Sequence, residues 1–203
     1  LKLEAPVSMA TLSATDVLKR SAATLDEVLR QVSGVHMTQD QINIRGSSGY
    51  SRGVGSRVLL LLDGVPYLTG DTGEINWETI PVHQIERIEV VKGAGSALYG
   101  SSALGGVVNV LTRDIPDQTD VRFHLAGGFY DRPKYPKWDW SEKLRSHSIA
   151  SLTASRRLGA FAVLLSVRGN VDESYRANDV YRRWSSYAKV RCDVTSTSAV
   201  TVT

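Results

Sequence analysis

Between Val121 and Val194 the chain keeps a two-residue period, and this constrains its fold more than any other feature. Val121, Phe123, Leu125 and Phe129 fall on one side of an extended backbone, with Arg122, His124 and Tyr130 on the other. Phe161, Val163, Leu165 and Val167 oppose Ala162, Ser166, Arg168 and Asn170. From 183 to 194 the row Trp184, Ala188, Val190, Cys192 and Val194 opposes Arg183, Ser185, Tyr187, Lys189, Arg191 and Asp193. Successive side chains of a strand point to opposite faces, so each stretch reads as a strand with one apolar and one polar face. A weaker strand runs from Ser148 to Arg156, and a fifth starts at Ala199.

The connections alternate too. Long polar segments at 131–147 and 171–181 are interleaved with short turns at 157–159 and 195–198. Strands of about 10 residues, apolar on one face and joined by alternating long and short connections, form the pattern of an outer-membrane β-barrel. A soluble antiparallel sheet with one wet face shares the alternation. The loop-length pattern and the charged second face favour the barrel. Five strands cannot close into one, and in lipid each unpaired backbone group at an open edge costs on the order of 2–7 kcal/mol. The expectation is a barrel incomplete in this chain, which is the N-terminal portion of something longer.

The first 117 residues follow another rule. A single cysteine, Cys192, excludes an internal disulfide, and four scattered histidines form no metal-ligand pattern. Residues 1–118 carry 10 basic against 13 acidic side chains, and residues 119–203 carry 14 against 8. The cations are interspersed with other types, so no nucleic-acid patch is indicated. Thr15-Asp16 or Ser13 caps a short helix over 17–21, and Thr24 caps a second carrying Leu25, Val28 and Leu29. Ile42 to Ile44 reads as a strand, Val58 to Leu62 as a buried central strand closed by a turn at Asp63-Gly64, and Leu1 to Thr11 as a weak edge strand. The loop from Leu68 to Thr79, with Asp71, Glu74, Trp77 and Glu78, is either solvated or ligand-facing.

The stretch from Ile85 to Arg113 carries the most specific signal. A β-branched strand runs into Lys92-Gly93-Ala94-Gly95, a short helix follows from Ser96 to Tyr99 with Gly100 as its stop, and Gly105-Gly106 precedes a strand from Val107. A dinucleotide-binding turn is the first alternative, but it needs Gly or Ala where Leu98 stands. No nucleophile–base pair, carboxylate dyad or metal cluster can be assembled, so the chain does not read as an enzyme.

These residues resemble the plug domain of TonB-dependent outer-membrane receptors. Lys92-Gly93, Ser96-Ala97-Leu98-Tyr99-Gly100 and Gly105-Gly106-Val107-Val108-Asn109 match the end of that domain in register. Ile44-Arg45-Gly46 and Asp63-Gly64-Val65-Pro66 match two earlier motifs, and Ser33 replaces the usual proline before Gly34-Val35. The resemblance implies an α+β plug of about four strands in a mixed sheet with short helices over residues 1–117. Residues 118–203 then open an antiparallel transmembrane β-barrel of about 22 strands in all. It further implies uptake of a scarce, bulky nutrient, a ferric siderophore or a cobalamin-type chelate, with TonB, ExbB and ExbD as partners and outer-membrane lipid as surroundings. No cofactor is held by the protein itself, although the cargo can be a metal chelate. Arg45 and Lys92 match basic positions that latch the plug to barrel glutamates, which are expected beyond Thr203, as the TonB box is expected before Leu1. Tyr50, Arg52, Tyr67 and Trp77 are the expected ligand-facing residues. A plug-like periplasmic module that only docks or signals is the rival reading, and strands following the plug weigh against it.

Overall fold

The computed structural model describes residues 8–20, 22, 24–38, 41–47, 57–69, 74–93, 95–135, 137, 139, 143–174, 176, 179–195 and 197–203. It divides into two compact units, Leu1–Arg113 and Asp114–Thr203, so the break falls at Arg113 rather than at residue 117.

In the first unit β1 (Ser8–Ser13) runs into α1 (Ala14–Lys19), and Ser13 and Asp16 cap each other reciprocally across the start of that helix. The Ser13 hydroxyl and backbone hold the Asp16 carboxyl below its ordinary value. Helix α2 (Leu25–Leu29) follows Thr24, whose side chain makes no cap bond to the backbone and donates to Asp26 Oδ1 instead, at 2.5 Å. Gly34, at φ +76, lets the chain leave α2 for the hairpin β2 (Val35–Thr38) and β3 (Gln41–Ile44).

Strand β4 (Val58–Leu62) pairs with the short β5 (Val65–Pro66) across Asp63-Gly64. Both turn residues have positive φ, 51 and 82, the conformation of a type I′ hairpin and the reason Asp-Gly serves there. A 3-10 turn at Val82–Gln84 leads into β6 (Ile85–Lys92), and α3 (Ser96–Tyr99) separates it from β7 (Gly106–Thr112). Among the described residues the sheet order is β1-β6-β7-β4-β5, with β4 and β7 parallel and the other pairs antiparallel. It is a mixed sheet, as expected, with five strands where about four were read; β3 lies outside it, in the separate hairpin.

Strands β4 and β7 bury nearly continuous runs because both faces are covered, while β6 buries Ile85, Ile88 and Val90 and exposes Glu86 and Arg87. Leu25, Val28, Leu29, Ile42, Ile44, Leu60, Ile88, Val90 and Val108 share one core, and Leu59, Leu61, Ala103 and Val107 pack on the other face.

The second unit is an antiparallel meander: β8 (Asp120–Phe129), β9 (Ser146–Leu158), β10 (Phe161–Asp172), β11 (Tyr181–Asp193) and β12 (Ala199–Val202), each paired with its sequence neighbour. Register aligns Phe123, Leu152 and Val167 on one face and Arg122, Thr153, Ser166 and Tyr187 on the other. The two faces are inverted relative to a soluble sheet. Phe123 is 69% and Trp184 79% exposed, while Ser166 is 2% and Lys189 6% exposed. No water-soluble fold leaves a continuous apolar face of this size bare over a buried polar one. From Phe161 to Val171 the apolar row of β10 spans ten steps, which at about 3.3 Å each and a tilt of about 40° is a band about 25 Å tall. Trp184 lies over Gly169, where an added Cβ would stand 3.2 Å from its ring.

Candidate functional site

The motif residues of the first unit, distant in sequence, converge at one end of its sheet. Arg45 follows β3 in a left-handed conformation (φ +52), and Gly46 beside it has φ +78. Its Nη1 donates to the Lys92 carbonyl at 3.5 Å, at the end of β6. The side chain of one expected latch residue thus reaches the backbone of the other, and among the described residues neither forms an ion pair.

The paired glycines close the same corner. A Cβ on Gly106 would meet the Val91 carbonyl at 2.6 Å and Ile44 Cδ1 at 2.8 Å, and the residue sits at φ +153. A Cβ on Gly105 would run into the Ser47 side chain, while its N–H donates to the Arg57 carbonyl at 2.6 Å. The Gly-Gly pair is thus the slot into which the Ile-Arg-Gly segment fits. Gly93 (φ +132) and Gly100 (φ +85) take backbone conformations that side chains resist, on either side of α3. Ser96 opens α3, and Tyr99, which ends it, is exposed.

Asp63 has a different task. Its Oδ1 accepts the Thr112 N–H at 2.7 Å and its Oδ2 accepts the Thr112 hydroxyl at 2.6 Å, tying the β4–β5 turn to the end of β7. Asn109 donates to Glu89 Oε2 at 3.4 Å, while Glu89 Oε1 accepts Arg87 Nε at 2.9 Å and holds that guanidinium above its ordinary value.

The ligand-facing set fares differently. Tyr50 and Arg52 lie outside the described residues. The Tyr67 ring is half-buried against the core, and its hydroxyl lies 2.5 Å from Thr79 Oγ1. Thr79 gives its own proton to the Asn76 carbonyl, so Tyr67 is the donor, and its hydroxyl is engaged by a neighbour at the surface. Trp77 corrects the expectation. At 4% exposure it belongs to the core with Ile75, Ile80 and Val82, and it has no surface to offer a ligand. The spacing 75, 77, 80, 82 was the available signal, outweighed by the acids interleaved with it.

Residues 2–107 match the profile of the TonB-dependent receptor plug domain. This decides the family. The chain belongs to the TonB-dependent receptors.

The vitamin B12 transporter BtuB of Vibrio cholerae serotype O1 is 38% identical to this receptor over 117 residues, 57% of the chain. BtuB of Vibrio vulnificus is 40% identical over 110 residues. Among solved structures, the siderophore receptor PirA from Pseudomonas aeruginosa superposes with a TM-score of 0.73 at 28% identity, covering 98% of this chain and 33% of PirA. The ferric yersiniabactin uptake receptor FyuA from Yersinia pestis, at 20% identity and a TM-score of 0.69, agrees in fold. The chain spans 19% of the Vibrio cholerae protein's length. Membership places this receptor in the bacterial outer membrane, its plug followed by the first strands of a β-barrel, which accounts for the inverted faces of the second unit.

Proposed function

We propose that the protein takes up a scarce metal chelate across the outer membrane, driven through TonB with ExbB and ExbD. The carrying observation is a five-stranded plug sheet followed by strands whose apolar face is bare and whose opposite face buries polar residues such as Thr153, Ser166 and Lys189. A module that only docks in the periplasm has no use for such strands. Arg45 and Lys92, joined side chain to backbone and without an ion pair among the described residues, serve as the plug half of a latch whose other half is carboxylate. The cargo is a cobalamin-type chelate or a ferric siderophore. The first is supported by the plug's likeness to BtuB, the second by the whole chain's likeness to PirA.

The test is uptake in cells lacking the receptor and complemented with it, using labelled cyanocobalamin and a panel of ferric siderophores, with and without TonB. The expected result is accumulation of one of these chelates that vanishes without TonB. Accumulation of none, with the receptor present in the outer membrane, overturns the proposal.

A further inference from the structure

We propose that the connection between the plug and the strand unit is a joint of essentially one residue, Asp114, clamped on both sides. On the plug side, the Arg113 N–H donates to the Gln84 carbonyl at 2.8 Å, and Thr112 before it is held through backbone and side chain by Asp63. On the other side, Ile115 is buried against Ala162 and Leu164, with Tyr187 beside them, all within the strand unit. Pro116 fixes its own φ and biases Ile115 toward extended backbone. Asp117 adds a second hold. Its Oδ1 lies 2.8 Å from Arg157 Nε as an ion pair, although that N–H does not point along the contact, and Arg157 is also paired with Asp193.

The polar row of β10 carries the imprint of this seat. It begins with Ala162 and Leu164, turning polar only at Ser166, and both are fully buried. Apolar side chains in that register have no role toward water or lipid; Ile115 gives them one. Asp114 is exposed between a residue held by the plug and a residue held by the wall. Each residue of free chain allows about 3.5 Å of travel, so a joint of one residue permits rotation and almost no translation. A larger displacement at this joint therefore requires Arg113 to give up its bond to Gln84 or Ile115 to leave its seat. The inference holds whatever the cargo.

The test uses single cysteines at Asp114, Ile115 and Val108, each in a background carrying Cys192→Ser in which any cysteine elsewhere in the receptor is likewise replaced, with the whole receptor in outer-membrane vesicles and a maleimide as the probe. Without denaturant, the Asp114→Cys site labels at least tenfold faster than the Ile115→Cys site. In rising urea the plug-core site Val108→Cys becomes reactive while the Ile115→Cys site, belonging to the wall, stays protected. Loss of protection at both positions at the same urea concentration, or equal labelling of 114 and 115 at rest, overturns the proposal. Because Cys at 115 could itself loosen the seat, Ala162→Cys is labelled in parallel from the other side of the contact. It stays protected alongside Ile115→Cys if the seat holds, and reactivity at 162 before the plug core opens also overturns it.

Discussion

Replacing Asp63 by alanine removes two acceptors at once and tests whether the Asp-Gly motif is a structural tie. Thr112 is 4% exposed, and its N–H and hydroxyl are both held by the Asp63 carboxylate, at 2.7 and 2.6 Å. Hydrogen bonds to a charged group contribute about 1.5–3 kcal/mol each. Asp63 is only partly buried, so the lower end applies, giving about 3 kcal/mol for the pair. Alanine also meets the left-handed backbone at φ +51, adding about 1 kcal/mol. The sum is about 4 kcal/mol, on the order of a thousandfold in an opening equilibrium. Asparagine tolerates the backbone and keeps one acceptor for the Thr112 N–H, and the Thr112 hydroxyl can turn to accept from its amide, so its cost is about 1–1.5 kcal/mol. Hydrogen exchange of peptides covering β4 and β7 reads both, because exchange there requires this part of the sheet to open. Protection should fall by about three decades for Asp63→Ala and about one for Asp63→Asn. Equal losses for the two, or a change under a factor of five for alanine, would refute the reasoning.

Gly106→Ala should cost about 3 kcal/mol or more, since the new methyl meets the Val91 carbonyl at 2.6 Å and the Ile44 side chain at 2.8 Å on a backbone at φ +153; urea unfolding of the plug reads it, and a shift below 1 kcal/mol contradicts the slot. Phe123→Arg, placed beside Leu152 on the bare face, should destabilise the membrane-inserted state by about 2–4 kcal/mol; thermal unfolding in detergent or lipid reads it, with His124→Arg on the opposite face as the mild control. Asp16 has a folded-state pKa depressed by Ser13 below the ordinary value of 3.8, so its contribution is complete above that value and is lost as pH falls through the lower one. An acid titration of plug stability should therefore be shallower in Asp16→Asn below about pH 4, with no difference near neutrality.

What the sequence disclosed follows from the range of the interactions involved. Strand β10 was legible because alternation is local: Phe161, Val163, Leu165 and Val167 announce their face without reference to any partner. The Asp63-Gly64 turn and the Ser13 cap were legible for the same reason, being settled within a few residues. The parallel pairing of β4 with β7 joins Val58 to Gly106, far apart along the chain, and no local pattern announces it. Trp77 was misplaced because loop composition around Glu74 and Glu78 spoke louder than the apolar spacing that buries it. The hairpin partner β2 was hidden because Val35 to Thr38 is four residues long and mixed in character. For the site, motif matching found Arg45 and Lys92 as separate cations. Their meeting, and the part of Gly105-Gly106 in forming the slot, needed the fold.

The central claim is that the strand unit presents its apolar row to lipid. Nitroxide labels placed singly along β10, from 161 to 171, would measure accessibility to oxygen, which partitions into lipid, against a water-soluble paramagnetic reagent. The account predicts a two-residue period, with 161, 163, 165, 167 and 171 favouring oxygen and 162, 164, 166, 168 and 170 shielded from it. Odd positions as accessible to the aqueous reagent as an exposed loop label would contradict it.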